Sequence, residues 1–111
     1  FLDKPWAVFR TRRRDGTERR RSPRISRTEK VRIEYLSESM HLVASEEAQT
    51  ENVSRTGLRL TVKTAPAEFD IVRVTSADRG FSALAAERNR FVAKDGNERL
   101  CIQFLDNEWP L

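Results

Sequence analysis

Alternation of apolar and polar residues is the strongest structural signal along this sequence. Val31, Ile33 and Tyr35 alternate with charged neighbours, and the same period of two recurs at Leu58–Val62 and at Leu100–Phe104. Successive side chains of a strand point to opposite faces of its sheet, so this period is typical of a strand with one buried face. The pattern therefore predicts three half-buried strands.

Three weaker segments predict further strands. Leu42–Gln49 alternates only at its start, and Phe69–Val74 contains the apolar pair Ile71-Val72, which indicates a bulge or a strand buried on both faces. Ser82–Arg90 is rich in residues that favour helices. However, the hairpin signal Asp95-Gly96 lies between this segment and the last strand, so we predict a strand here as well.

Short strands separated by turn signals are typical of small all-β domains. Closing such a sheet removes its exposed edges, so five or six strands predict a small antiparallel β-barrel. The length of 111 residues is enough for one domain with one core. Trp6 and Trp109, near the ends of the sequence, are expected to pack against the barrel end or against a missing neighbour rather than to stack on a ligand.

Positive charge is concentrated in one segment. Positions 10–24 hold eight arginines and only two acidic residues, a net charge of +6, whereas the whole chain carries +4 and the remainder therefore −2. The segment has no apolar period, so we expect it to be irregular or disordered without a ligand. An arginine cluster indicates an anionic partner such as nucleic acid, a nucleotide or a membrane surface, unless it is simply a solvated tail.

Several function classes lack their sequence signals. No apolar run approaches the ~18 residues of a membrane-spanning helix. The only cysteine, Cys101, cannot form an internal disulfide, which favours a reducing compartment such as the cytoplasm. With one histidine, His41, and no glycine-rich phosphate loop, we expect no metal site and no enzymatic activity. Phe1–Phe9 does not resemble a signal peptide, and without an initiator methionine we expect a fragment of a longer chain.

Two short motifs remain. Arg20 and Arg24 form an R-x-x-x-R spacing, and Asn52, Ser54 and Gly57 form N-x-S-x-x-G immediately before a predicted strand. Alone, the first occurs by chance in any arginine-rich tail. The second alone fits an ordinary turn, in which Asn52 and Ser54 bond the local backbone and Gly57 supplies a positive φ.

In this order and on this strand pattern, the two motifs resemble those of the PilZ domain, the bacterial receptor for cyclic di-GMP. The resemblance covers about Glu18 to Leu105 and implies an all-β, six-stranded antiparallel barrel with a flexible arginine-rich N-terminal arm. The family barrel is usually followed by a helix, but only Asp106–Leu111 remain here, so we expect that helix to be absent or truncated. We expect residues 1–17 to be an extension or linker and residues 18–111 to form the domain.

The resemblance implies a ligand site. It assigns cyclic di-GMP to the matched positions, which are Arg20, Arg24, Asn52, Ser54 and Gly57. The chemistry agrees, because a guanidinium can bond guanine O6 and N7 together, clamp phosphate oxygens or stack on a purine. The asparagine and serine offer donors and acceptors to a guanine edge, and the glycine leaves room for the ligand.

Two further arginines are candidates. Arg19 stands just before R-x-x-x-R, the position that the family associates with ligand number, so we expect it to engage a second, stacked cyclic di-GMP in an intercalated dimer. Arg55, inside the second motif, is a candidate phosphate contact, with plain solvent exposure as the alternative. No other cofactor is implied.

The expected mechanism is a switch: the anion neutralises the arm and orders it onto the barrel, creating a surface for a downstream protein or a neighbouring domain. One alternative is a basic barrel that binds single-stranded nucleic acid. The arginine cluster contains no aromatic residue on which bases could stack, so nucleic acid is disfavoured. Another alternative is a PilZ-like scaffold for protein interactions, which predicts broken ligand motifs.

Overall fold

The chain folds into a β-barrel. The computed structural model describes residues 23–111, and within this range all regular structure is strand. The strands are β1 (Ile25–Ser26), β2 (Lys30–Leu36), β3 (Leu42–Val53), β4 (Gly57–Val62), β5 (Ile71–Ser76), β6 (Phe81–Val92) and β7 (Glu98–Phe104). Every strand predicted from the sequence is present, including β6 in the segment with helical composition. The predictions for residues 1–17 and for Arg19 and Arg20 lie outside the described residues.

Six strands close the barrel. They pair antiparallel in the order β3-β2-β5-β6-β7-β4, and β4 returns to pair with β3. The two-residue strand β1, which the sequence pattern did not predict, pairs with the end of β3 outside this circuit. The expected all-β, six-stranded barrel is confirmed, and Asp106–Leu111 after β7 contains no helix.

Alternation along the strands fills the barrel interior. Leu58, Leu60 and Val62 of β4 are at most 3% exposed, whereas the residues between them are half-buried. The apolar pair Ile71 and Val72 is buried on both faces where β5 begins, one of the two outcomes that the doubled pair indicated. A small barrel packed with side chains has no room for a ligand inside, so any site must lie on its outer wall or at its ends.

The two ends of the barrel are closed differently. After β4, the loop 63–70 covers one end, where the rings of Phe69 and Tyr35 lie 5.0 Å apart. The Tyr35 hydroxyl donates to Glu46 Oε2 at 2.6 Å, and burial raises the pKa of Tyr35 strongly. At the other end, Trp109 is 1% exposed and packs on Phe81 at 5.0 Å, so its expected packing against a barrel end is confirmed.

Within residues 23–111, no helix is long and apolar enough to cross a membrane. The same part of the chain holds no group of three or more histidine, cysteine, aspartate or glutamate residues arranged to bind a metal ion.

Candidate ligand-binding site

The second motif forms a tight turn between β3 and β4, which we call the motif turn (Ser54–Gly57). The Ser54 amide donates to the Gly57 carbonyl at 2.9 Å, and the Gly57 amide donates to Ser54 Oγ at 3.1 Å. From below, the amides of Trp109 and Phe104 donate to the carbonyls of Arg55 and Thr56 at 2.9 and 2.8 Å. The turn is therefore fixed to the barrel before any ligand binds.

Gly57 has a different reason to be glycine from the one that a turn suggests. The positive φ values among the described glycines belong to Gly80 and Gly96, so the positive φ that the ordinary-turn interpretation gives to Gly57 is wrong. Instead, a Cβ on Gly57 would lie 2.3 Å from the carbonyl oxygen of Ile102 in β7. Only glycine lets the two backbones approach this closely.

Strand β1 brings Arg24, the second arginine of the first motif, to the second motif. Ser26 pairs with Asn52 and Ile25 with Val53, so Arg24 lies beside the motif turn. Its Nη1 donates to Asn52 Oδ1 at 3.5 Å, a long contact between exposed groups. The second arginine of R-x-x-x-R and the asparagine of N-x-S-x-x-G are thus neighbours, although 28 residues separate them.

A surface pocket with a cavity volume of about 270 Å³ lies next to the motif turn, and we call it the motif pocket. Arg24, Ser54 and Gly57, three residues that the motifs singled out, line it. Its other lining residues are Thr56, Arg59, Arg88, Asn89, Cys101, Ile102 and Gln103. Three arginines and no acidic residue are among these described lining residues, so the pocket suits an anion.

Two irregularities in strand register flank the motif pocket. On β3 the register shifts between Thr50 and Asn52, and on β6 it shifts between Glu87 and Asn89. Each shift leaves one extra residue on the longer strand, and Arg88 is the extra residue on β6. β-bulges of this kind redirect side chains and are over-represented next to functional sites.

Two hydrogen-bond donors at the motif pocket are buried without partners among residues 23–111. They are Nε of Arg59 and Nε2 of Gln103, whose side chain is 4% exposed. An unsatisfied buried donor costs about 1–3 kcal/mol, so such groups call for an acceptor. Arg59 is held in position by Glu51, whose Oε1 lies 3.6 Å from Nη1, and by the Phe91 ring, whose centroid lies 5.5 Å from its Cζ.

Not every motif residue reaches the motif pocket. Arg55 is exposed and does not line it. The backbone carbonyl of Arg55 accepts the hydrogen bond from the Trp109 amide. The Ser54 hydroxyl lies within hydrogen-bond distance of both the amide and the carbonyl of Gly57, as the ordinary-turn interpretation of this residue expects. Sequence reasoning missed Arg59, Arg88 and Gln103, because strand pairing alone brings them together and no local spacing marks them.

No family model matches this sequence, and no curated protein matches it. Among solved structures, the chain is similar to the PilZ domain, with c-di-GMP, of YcgR from Escherichia coli. The two share 22% sequence identity over 79% of each chain, with a TM-score of 0.50. Together with the closed barrel, this likeness shows that the chain has a PilZ-like fold.

Proposed function

We propose that this protein is a receptor for cyclic di-GMP. The observation that carries the proposal is the convergence of Arg24, Ser54 and Gly57 on one cationic pocket, with Asn52 bonded to Arg24. These residues come from two motifs that are far apart in the sequence. The similar domain of YcgR is a c-di-GMP complex, which adds support from the fold.

The chemistry of the motif pocket matches a nucleotide with two phosphates and two guanines. Arg24 is exposed, and its contact with Asn52 is long enough to be exchanged for a ligand. A guanidinium fork can then bond a phosphate or a guanine edge, and the freed amide of Asn52 can bond a guanine. Ser54 shapes the turn beneath them.

The size of the motif pocket implies a second ligand-binding element. Its 270 Å³ lies just below the roughly 300–1,000 Å³ that usually enclose a small-molecule ligand. We infer that Arg20 and Arg19 cover the rest of the ligand, since Arg20 is only four residues from Arg24 and thus within about 13 Å. Arg19 would engage a second, stacked cyclic di-GMP, and Arg55 would reach an outer phosphate.

The proposed output is non-enzymatic. Neutralising the +6 segment with the ligand would order it against the barrel and change the surface offered to a downstream protein or neighbouring domain. In this proposal the protein acts in the bacterial cytoplasm, where the second messenger is made.

The nucleic-acid alternative is disfavoured by the residues around the motif pocket. Single-stranded nucleic acid is bound by stacking bases on aromatic side chains. No aromatic residue is among the described lining residues. Tyr35, Phe81, Phe104 and Trp109 are buried in the barrel and do not line the motif pocket.

The first prediction is that Arg24→Ala weakens cyclic di-GMP binding by about 1–3 kcal/mol, roughly 5- to 150-fold, because the fork contributes directly to the ligand. Isothermal titration calorimetry measures this, with GMP and a short single-stranded oligonucleotide as comparison ligands. The stoichiometry of the cyclic di-GMP titration distinguishes one bound ligand per chain from a stacked pair.

Arg32→Ala is the matched control, since Arg32 is an exposed strand arginine that does not line the motif pocket. Tighter binding of the oligonucleotide than of cyclic di-GMP would favour the nucleic-acid alternative. No binding of cyclic di-GMP at millimolar concentration would reject the receptor and leave the protein scaffold.

A further inference from the structure

The bulge on β6 places a cation on the wall of the motif pocket. Glu87 pairs with Ile102 and Asn89 with Cys101, so Arg88 is the extra residue of the bulge, and it lines the pocket. Its Nη1 donates to Gln103 Oε1 at 2.6 Å. Gln103 is on β7 opposite Gly57, the end of the motif turn.

This contact fixes which way the Gln103 amide points. An arginine can only donate hydrogen bonds, so the atom facing Arg88 must be the carbonyl oxygen of the amide. The amide nitrogen is therefore turned away from Arg88. Nε2 is buried and has no acceptor in the described part of the chain, although its residue lines a pocket that we assign to a ligand.

We propose that Gln103, oriented by Arg88, is a specificity-determining residue that reads the O6 edge of a guanine. This inference rests on the proposed function and adds a subsite on the barrel wall to the two motifs. Gln103 Nε2 donates to O6, and Arg88 holds the amide in the orientation that makes this possible. Arg59 Nε, the other unpartnered donor at the motif pocket, can serve a second acceptor of the ligand.

A base edge fits this subsite better than a phosphate does. Gln103 is 4% exposed and its amide is neutral, so it suits a neutral carbonyl oxygen, while the arginines that line the same pocket suit the phosphates. Guanine presents an acceptor at position 6, whereas adenine presents an amino donor there. The subsite therefore accepts cyclic di-GMP and opposes cyclic di-AMP, which has the same phosphates.

The test compares both dinucleotides on wild type, Gln103→Glu and Arg88→Gln. In Gln103→Glu an oxygen replaces the donor at nearly constant shape, so we expect cyclic di-GMP to bind about 10-fold more weakly and its preference over cyclic di-AMP to fall at least as much. Arg88→Gln should lose about the same affinity, because the amide is no longer oriented. Arg32→Gln, the matched control, should stay within about twofold.

A spectroscopic readout does not depend on the variants. In wild type, cyclic di-GMP should shift the side-chain amide proton resonances of Gln103 and cyclic di-AMP should not. If Arg24→Ala weakens binding but both subsite variants keep wild-type affinity and preference, the subsite is rejected and the receptor stands. Equal losses for the two dinucleotides would instead indicate phosphate contact and also reject it. If wild type binds no cyclic di-GMP, the receptor itself fails.

Discussion

At the scale of single residues, the motif turn requires both the hydroxyl of Ser54 and a glycine at position 57. The Ser54 hydroxyl accepts a hydrogen bond from the Gly57 amide within the turn. Gly57 must be glycine because a Cβ there would clash with the backbone of β7. Both residues shape the surface on which a ligand would lie. A motif residue can therefore be essential to binding without touching the ligand.

Gly57→Ala should destabilise the protein by about 1–3 kcal/mol, because its Cβ would meet a backbone carbonyl that cannot rotate away. Thermal unfolding checks this, with a lowering of Tm by roughly 5–15 °C expected for a domain of this size.

Gly80→Ala serves as the control for that substitution. The position has a φ of +60° but no heavy atom within 4 Å of the added Cβ. Gly80→Ala therefore measures a left-handed backbone cost of about 1 kcal/mol without a clash, whereas Gly57→Ala measures the clash. A Gly57→Ala variant as stable as wild type would show that β4 and β7 can separate freely.

Some residues at the motif pocket could be predicted from the sequence and others could not. Arg24, Ser54 and Gly57, together with Asn52 beside the pocket, could be predicted because each motif has a fixed local spacing. Gln103 could not, since its place beside Gly57 follows from the pairing of β4 with β7, and its orientation follows from a bulge. Such long-range geometry leaves no local trace in the chain.

At the scale of elements, the two-residue strand β1 places Arg24 beside the second motif. β1 has two residues, too few for any alternation, yet its pairing with β3 carries Arg24 to Asn52. The linker after β1 is held by Thr50, which is 2% exposed. Its Oγ1 donates to the Arg27 carbonyl at 2.5 Å and accepts from the Glu29 amide at 2.8 Å.

Thr50→Val should therefore weaken both stability and ligand binding. The change keeps the shape of the side chain but leaves two part-buried backbone groups unpaired, at a cost of about 1–3 kcal/mol. Chemical denaturation measures the stability, and calorimetry with cyclic di-GMP measures the binding.

Thr75→Val, at a half-buried strand position outside the motif pocket, is the comparison variant. If Thr50→Val loses stability while its affinity for cyclic di-GMP stays that of wild type, β1 is not what positions Arg24.

At the scale of the whole molecule, Arg79 connects the linker before β2 to the end of the chain through an ion pair, a hydrogen bond and a ring contact. Arg79 donates through Nε to Glu29 Oε1 at 2.7 Å and through Nη1 to the Pro110 carbonyl at 2.7 Å. Its Cζ also lies 5.3 Å from the centroid of the Trp109 ring. The hydrogen bond from Arg79 holds the pKa of Glu29 below its usual value of 4.5.

This shift predicts an acid-dependent contribution to stability. A carboxylate whose pKa is lowered in the folded state makes its full contribution to the free energy of unfolding above its unfolded pKa, near 4.5. That contribution is lost as the pH falls through the folded-state pKa. Glu29→Gln should therefore destabilise the protein at pH 7 and reduce the loss of stability between about pH 5 and pH 2.

Denaturant unfolding over that range measures the effect, with exposed Glu68→Gln as the control. An unchanged slope of stability against pH in Glu29→Gln would show that the Arg79 contact contributes nothing.

The hydrogen bond between the Trp109 amide and the Arg55 carbonyl has a consequence for how the two ends of the described chain are held. The first described strand, β1, pairs with Asn52 and Val53, and the amide of Trp109 near the other end of the chain donates to the carbonyl of Arg55, so both segments are held by backbone groups within residues 52–55. A small displacement of residues 52–55 would move β1 and the segment around Trp109 together. Under the proposed function, a ligand at the motif pocket would therefore lie beside both segments.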